Sequence, residues 1–122
     1  MISVLISSES RYRVDREKIR QAVSSLLKGA GLVDVEVSIS IVGARKIRTL
    51  NQKFRQIDTP TDVLSFPQEE GRGPDGVLRL GDIIVCYPIC REEARRDNKM
   101  VWEQMDFLVE HGLRHLLGEH HD

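Results

Sequence analysis

The stretch LGDIIVCYP, residues 80–88, is an almost unbroken apolar run that ends on a proline. Such a run predicts a strand covered on both faces, at the centre of a sheet. Its neighbours fit that role. DVEVSISIV (34–42) alternates, with Val33, Val35, Val37, Ile39 and Ile41 on one side. That spacing predicts a strand half-buried against the first helix. ISVLIS (2–7) is a short β-rich run. DTPTDVLSFP (58–67) opens with turn chemistry at Pro60, runs as a strand and stops at Pro67. QEEGRGPDGVLR (68–79) reads as a Gly-rich polar loop or hairpin.

Helical spacing fills the gaps. After Asp15, one face carries Ile19, Ala22, Val23, Leu26 and Leu27, and Gly29 and Gly31 end the segment. Residues 43–56 return to the same period through Ile47, Leu50 and Phe54. Two more helices are expected over about 89–98 and 100–117. The second carries Val101, Met105, Leu108, Val109 and Leu116. Gly118 is expected to end it, because glycine readily takes the left-handed conformation of a helix C-cap. Strands and helices alternate, so the expected class is α/β or α+β, one compact domain over residues 1–122 with a single mixed sheet.

Composition narrows the function. A chain of 122 residues, 40% hydrophobic and 30% charged, is long enough for a real core. A net charge of −1 sets up no global field toward nucleic acid or membrane. There is no 18-residue apolar run for a spanning helix, and the N-terminus does not read as a signal peptide. Cys86 and Cys90 are too few for a disulfide framework or a four-cysteine zinc site. They fit a reducing cytoplasm and read as small buried hydrophobes.

The four histidines all fall in HGLRHLLGEHHD, residues 111–122. They are interleaved with Leu113, Leu116 and Leu117, so they are not an affinity tag. His111 and His115, four apart, lie one above the other on a helix face. If Gly118 turns the chain, His121 supplies a third nitrogen and one position stays open for water. That is the layout of a catalytic zinc site, although iron, cobalt or nickel would also accept imidazole. His120 is then the spare, facing solvent or supporting a ligand. Zinc proteases with the same ligand spacing place a glutamate after the first histidine as general base. Here Gly112 stands there, which argues against peptide hydrolysis.

Residues 43–56 hold Arg45, Lys46, Arg48, Lys53 and Arg55 and no acid. A solvated helix face is the simpler account for most of them. The functional alternative is a local surface for a phosphate backbone. Arg55 is the sharper case, because it ends the helix just before DTPTDVLSF and is placed to grip a phosphate with two parallel bonds. Thr61 and Asp62 are either turn and cap residues or site residues, and Ser65 is either an outward strand position or a site residue.

LNQKFRQIDTPTDVLSFP (50–67), LGDIIV (80–85) and HGLRHLLGEHH (111–121) together resemble the bacterial YbeY family of metal-dependent endoribonucleases. The resemblance implies a compact α/β fold with one mixed four-stranded sheet and a zinc ion in a cleft. By motif position it implies His111, His115 and His121 as the metal ligands and Arg55 as the residue on which activity depends. It also implies a substrate, single-stranded RNA, and a place in late rRNA processing, at the 3′ end of 16S rRNA. The partners would be the small ribosomal subunit and its assembly factors, in the cytoplasm, with no membrane. Three departures stand out. Glu119-His120 replaces a Tyr-Asp pair, so ligand support would pass to Glu119 or Asp122. Arg114 stands where an apolar residue is usual, which predicts a wetter helix face. The family continues into a C-terminal helix, whereas this sequence stops one residue after His121, so a more open cleft is expected. The chemistry expected is metal-assisted phosphodiester hydrolysis, with the general base unassigned and the 2′-hydroxyl an alternative nucleophile. The rival is a metal-stabilised ribosome-assembly or RNA-binding factor that cuts little.

Overall fold

The computed structural model describes residues 1–68 and 71–121, with side chains up to residue 118 in the last helix. The elements are β1 (Ile2–Ser8), α1 (Arg16–Gly29), β2 (Val35–Val42), α2 (Ala44–Arg55), β3 (Val63–Pro67), β4 (Leu78–Cys86), α3 (Tyr87–Arg96) and α4 (Val101–His121). The four strands form one sheet in the order β1-β2-β4-β3. β1, β2 and β4 are parallel, and β3 closes the edge antiparallel to β4 as a hairpin. Residues 80–86 of the apolar run therefore lie inside the sheet, as their composition requires, while Tyr87 and Pro88 open α3.

One irregularity explains why that run does not alternate. Between Glu36 and Ser38 the β2–β4 register slips, so β4 carries one extra residue. Leu80 and Ile83 then both face the main core although they are three apart. Gly81 occupies the bulge with φ 134°. A Cβ there would run into the carbonyl oxygen of Phe66 and come within 3.0 Å of Pro67 Cα. Only glycine accepts both that torsion and that approach.

Helices cover the two faces unequally. α1 and α4 bury Ile19, Val23, Leu27, Met105, Leu108 and Leu113 against one face. On the other face a smaller cluster joins Ile47 of α2 to Val42, Leu64 and Cys86. Three of the four helix starts have a local cause. Asp15 caps α1 by accepting from Lys18 N at 3.1 Å. Glu103 reaches back to Met100 N at 2.9 Å at the head of α4. Pro88 sits in the first turn of α3.

Several boundaries differ from the sequence reading. Gly29 lies within α1, and Ala30 caps it. Val33 precedes β2 and is 63% exposed. α3 starts at Tyr87, immediately after β4. Gly118 does not end α4, which continues helically to His121. Among the described residues nothing lies within 4 Å of the Gly118 Cβ position, so none of them forces a turn there.

Replacing Gly81 with alanine should therefore cost roughly 2–4 kcal/mol, strain and overpacking together. Urea unfolding should show a lower midpoint with an unchanged slope. A midpoint equal to wild type would mean that the bulge relaxes freely.

Candidate functional site

α4 is the element that places the histidines, and Gly112 decides how closely it sits. A Cβ at Gly112 would lie 2.8 Å from Ile83 Cγ2 and 3.5 Å from Val63 Cγ2. The helix backbone thus rests directly on β4 and β3. His111 and His115 emerge beside that contact, both exposed, with ring centroids 4.7 Å apart and planes at 70°. Neither imidazole has a hydrogen bond or ion pair among the described residues. Phe107, one turn earlier, stacks on His111 at 6.4 Å.

The donor chemistry fits a metal. Two neighbouring imidazole nitrogens without other partners face outward on one side of a helix, as two ligands of one ion must. Among the described residues no three His, Cys, Asp or Glu side chains converge. The side chains of Glu119, His120 and His121 and all of Asp122 lie outside the described residues, so the expected third ligand, His121, and its expected support lie outside them too. Arg114 is exposed and pairs with Glu110 at 2.7 Å, which makes that face of α4 wet as expected.

α2 brings the basic residues to the surface. Arg45, Lys46, Arg48, Lys53 and Arg55 are all exposed. Arg48 is committed to Asp58, with Nε to Oδ1 at 3.0 Å and Nη2 to Oδ2 at 3.2 Å. Arg45 and Arg55 have no ion pair among the described residues. Arg55 is the last helical residue, and Gln56 turns the chain with φ 59°. Asn51 Nδ2 then pins the following loop by donating to Thr59 O at 2.9 Å. Between α2 and that loop runs an open groove of about 640 Å³, lined by Arg45, Arg48, Thr49, Asp58, Thr59 and Pro60. α2 and α4 cover opposite faces of the sheet, with edge strand β3 between them. Asp62 acts as a turn residue, accepting from Val63 N at 2.7 Å.

A polar network behind α4 escaped the sequence reading. Lys99 Nζ donates to Gln104 Oε1 at 2.9 Å, and Gln104 Nε2 donates to Glu93 Oε1 at 3.0 Å. Glu93 in turn meets the carboxyl of Asp62. Gln104 is buried and lies seven residues before His111, on the same side of the helix. Its signal was present: a glutamine among Val101, Met105 and Leu108 on a core stripe. Burial, then the Asp62 contact, raises the Glu93 pKa. Cys86 and Cys90 are fully buried, and burial pushes the Cys90 thiol up to about 12. Both behave as the hydrophobes their neighbours suggested.

Residues 5–122 match the sequence pattern of the family described as Endoribonuclease YbeY. The chain belongs to the YbeY family. It is 39% identical to the endoribonuclease YbeY of Anaeromyxobacter sp. over 124 residues, covering 99% of this chain and 62% of that relative. The Bordetella pertussis YbeY is 41% identical over 115 residues, covering 89% of this chain and 71% of the relative. Among solved structures, the solution structure of TM1509 from Thermotoga maritima aligns with a TM-score of 0.67 at 33% identity. That alignment covers 93% of this chain and 71% of the other. The chain thus spans less than two thirds of the Anaeromyxobacter YbeY's length. No helix among the described residues is long and apolar enough to cross a membrane.

The raised Glu93 pKa has a definite sign. An acid whose folded pKa exceeds its ordinary 4.5 contributes stability below that value and loses it as pH rises through the folded value. At pH 7 the ionised Glu93 is therefore a liability. Glu93→Gln should raise the Tm at pH 7, and the gain should vanish below pH 4.5. A Tm that falls at pH 7 would mean the carboxylate is required to hold Gln104.

Proposed function

We propose that this chain is a zinc-dependent endoribonuclease that cuts single-stranded RNA in late rRNA processing. The observation that carries this reading is the outward-facing His111–His115 pair in a chain whose relatives are named endoribonucleases. His111 and His115, with His121 as third donor, would hold the ion. A zinc ion held there supplies Lewis-acid charge and water acidified toward a pKa of ~7.

The chain's own residues do the rest. Arg55, at the free end of α2, pairs with the phosphate and balances the charge that grows on its oxygens. Arg45 and Arg48, which line the α2 groove, and Lys46 and Lys53 elsewhere on the helix hold the flanking backbone. The substrate in this reading is the 3′ region of 16S rRNA. The partners are the small ribosomal subunit and its assembly factors, in the cytoplasm.

A second reading has one observation in its favour. α4 continues through Gly118 instead of turning there. A chain with that geometry would serve as a metal-stabilised assembly factor that binds RNA and cuts little.

Elemental analysis and RNA cleavage on untagged protein separate the two. Wild type should hold one equivalent of zinc, and His115→Ala should lose both metal and cleavage. Arg55→Ala should keep its metal while its kcat drops about 100- to 1,000-fold. Metal-loaded wild type that binds RNA without cutting it would select the assembly factor. Cleavage undiminished in His115→Ala would end the metal-dependent proposal.

A further inference from the structure

The periodicity of α2 places Phe54 with Ile47 and Leu50 on the core-facing side. The structure leaves it 53% exposed, next to Ile57, which is 40% exposed. A bare phenyl group on a helix this polar calls for an explanation. Phe54 is not loose: its ring meets Phe66 of β3, with centroids 5.0 Å apart and planes at 56°. Phe66 is itself packed against the smaller core. One ring is therefore anchored and the other is held half-open beside it.

Among the described residues, the α2 side of this pair is cationic. Lys53 Nζ lies 5.3 Å from the Phe54 ring centroid, and Arg55 is the next residue. α2 has no acidic residue, and its one cation neutralised by a carboxylate, among the described residues, is Arg48. An apolar anchor for a protein partner has no need of so one-sided a rim. A planar, uncharged base joined to phosphates needs this combination: an aromatic face flanked by positive charge.

We infer that Phe54, braced by Phe66, is a stacking platform for one unpaired base of the RNA, with Lys53 and Arg55 meeting the adjoining phosphates. The inference rests on the RNA reading above and adds to it the reason for single-strand selection. A base inside a duplex has both faces occupied by its neighbours and offers none to Phe54. Because every base has a π-face, the platform selects unpaired nucleotides without selecting a sequence.

The test is fluorescence anisotropy with a labelled, unstructured RNA of about ten nucleotides, alongside the same RNA carrying abasic sites. The proteins are wild type, Phe54→Ala, Phe54→Leu and Phe54→Tyr. Wild type should bind the abasic RNA more weakly than the intact one. Phe54→Ala and Phe54→Leu should bind intact RNA roughly 5- to 100-fold more weakly, with no further loss on abasic RNA. Phe54→Tyr should behave as wild type. Leucine keeps apolar packing on Phe66 without an aromatic face, so it separates stacking from folding. If Phe54→Leu binds as wild type, or wild type binds both RNAs equally, Phe54 does not stack on a base and only this inference fails. Wild type that binds neither RNA overturns the RNA reading and this inference with it.

Discussion

Helix α4 reaches the sheet because residue 112 has no side chain. With a Cβ at Gly112, the helix would have to lift away from Ile83 or force that side chain aside. Close-packed interiors tolerate such overpacking poorly, at typically 1–3 kcal/mol. The consequence extends past packing. His111 and His115 flank Gly112, so the depth at which the helix sits sets where both imidazoles stand relative to β3. Leu113 and Leu116, fully buried on the neighbouring side of the helix, fix its rotation as Gly112 fixes its depth. The candidate site is therefore built on a rigid element whose position is determined by contacts that are not part of the chemistry.

The same economy governs β4. Its bulge at Gly81 lets two nearby residues, Leu80 and Ile83, enter one core, and Ile83 is the residue on which Gly112 rests. The turn of register in the sheet and the seat of the helix are thus one structural fact seen from two sides. On the opposite face α2 packs on Val42, Leu64 and Cys86, which leaves Arg45, Lys53 and Arg55 exposed. Edge strand β3 separates the basic helix from the histidine helix, and its first residues lie within reach of both cores. Val63 touches the position of Gly112, while Leu64 packs under Ile47.

Much of this was legible in the sequence. The central strand, the alternating β2, the four helices and the buried cysteines follow from periodicity and apolar runs. These signals report burial, and burial decides most of the fold. The parts that were not legible depend on contacts between distant segments. The bulge at Gly81 needs the carbonyl of Phe66 to be known. The exposure of Phe54 is invisible to a helical wheel, which assumes that an apolar face is covered throughout. Arg48 reads as a free cation until the loop returns Asp58 to it. For the site, the histidine spacing showed two imidazoles on one face, whereas the Lys99–Gln104–Glu93 chain required three separate elements to meet.

The helix ends show where local rules run out. Glycine permits a left-handed residue without requiring one. In this chain α2 turns at Gln56 and the turn after α3 at Asn98, both with positive φ, while Gly29 and Gly118 stay helical. What ends a helix is a better use for its last carbonyls or for its next side chains. At Gly118 the helix's own hydrogen bonds favour continuation, and among the described residues nothing lies within 4 Å of its Cβ position. Each such bond is worth about 0.5–1.5 kcal/mol net. Structural zinc binding is worth on the order of 10 kcal/mol or more. A ligand set recruiting His121 would outweigh a few end-turn bonds by a wide margin. Glycine is the residue that makes the rearrangement free of strain. If zinc binds as proposed, the helical continuation of α4 is compatible with it, and the turn at Gly118 would follow metal binding instead of preceding it.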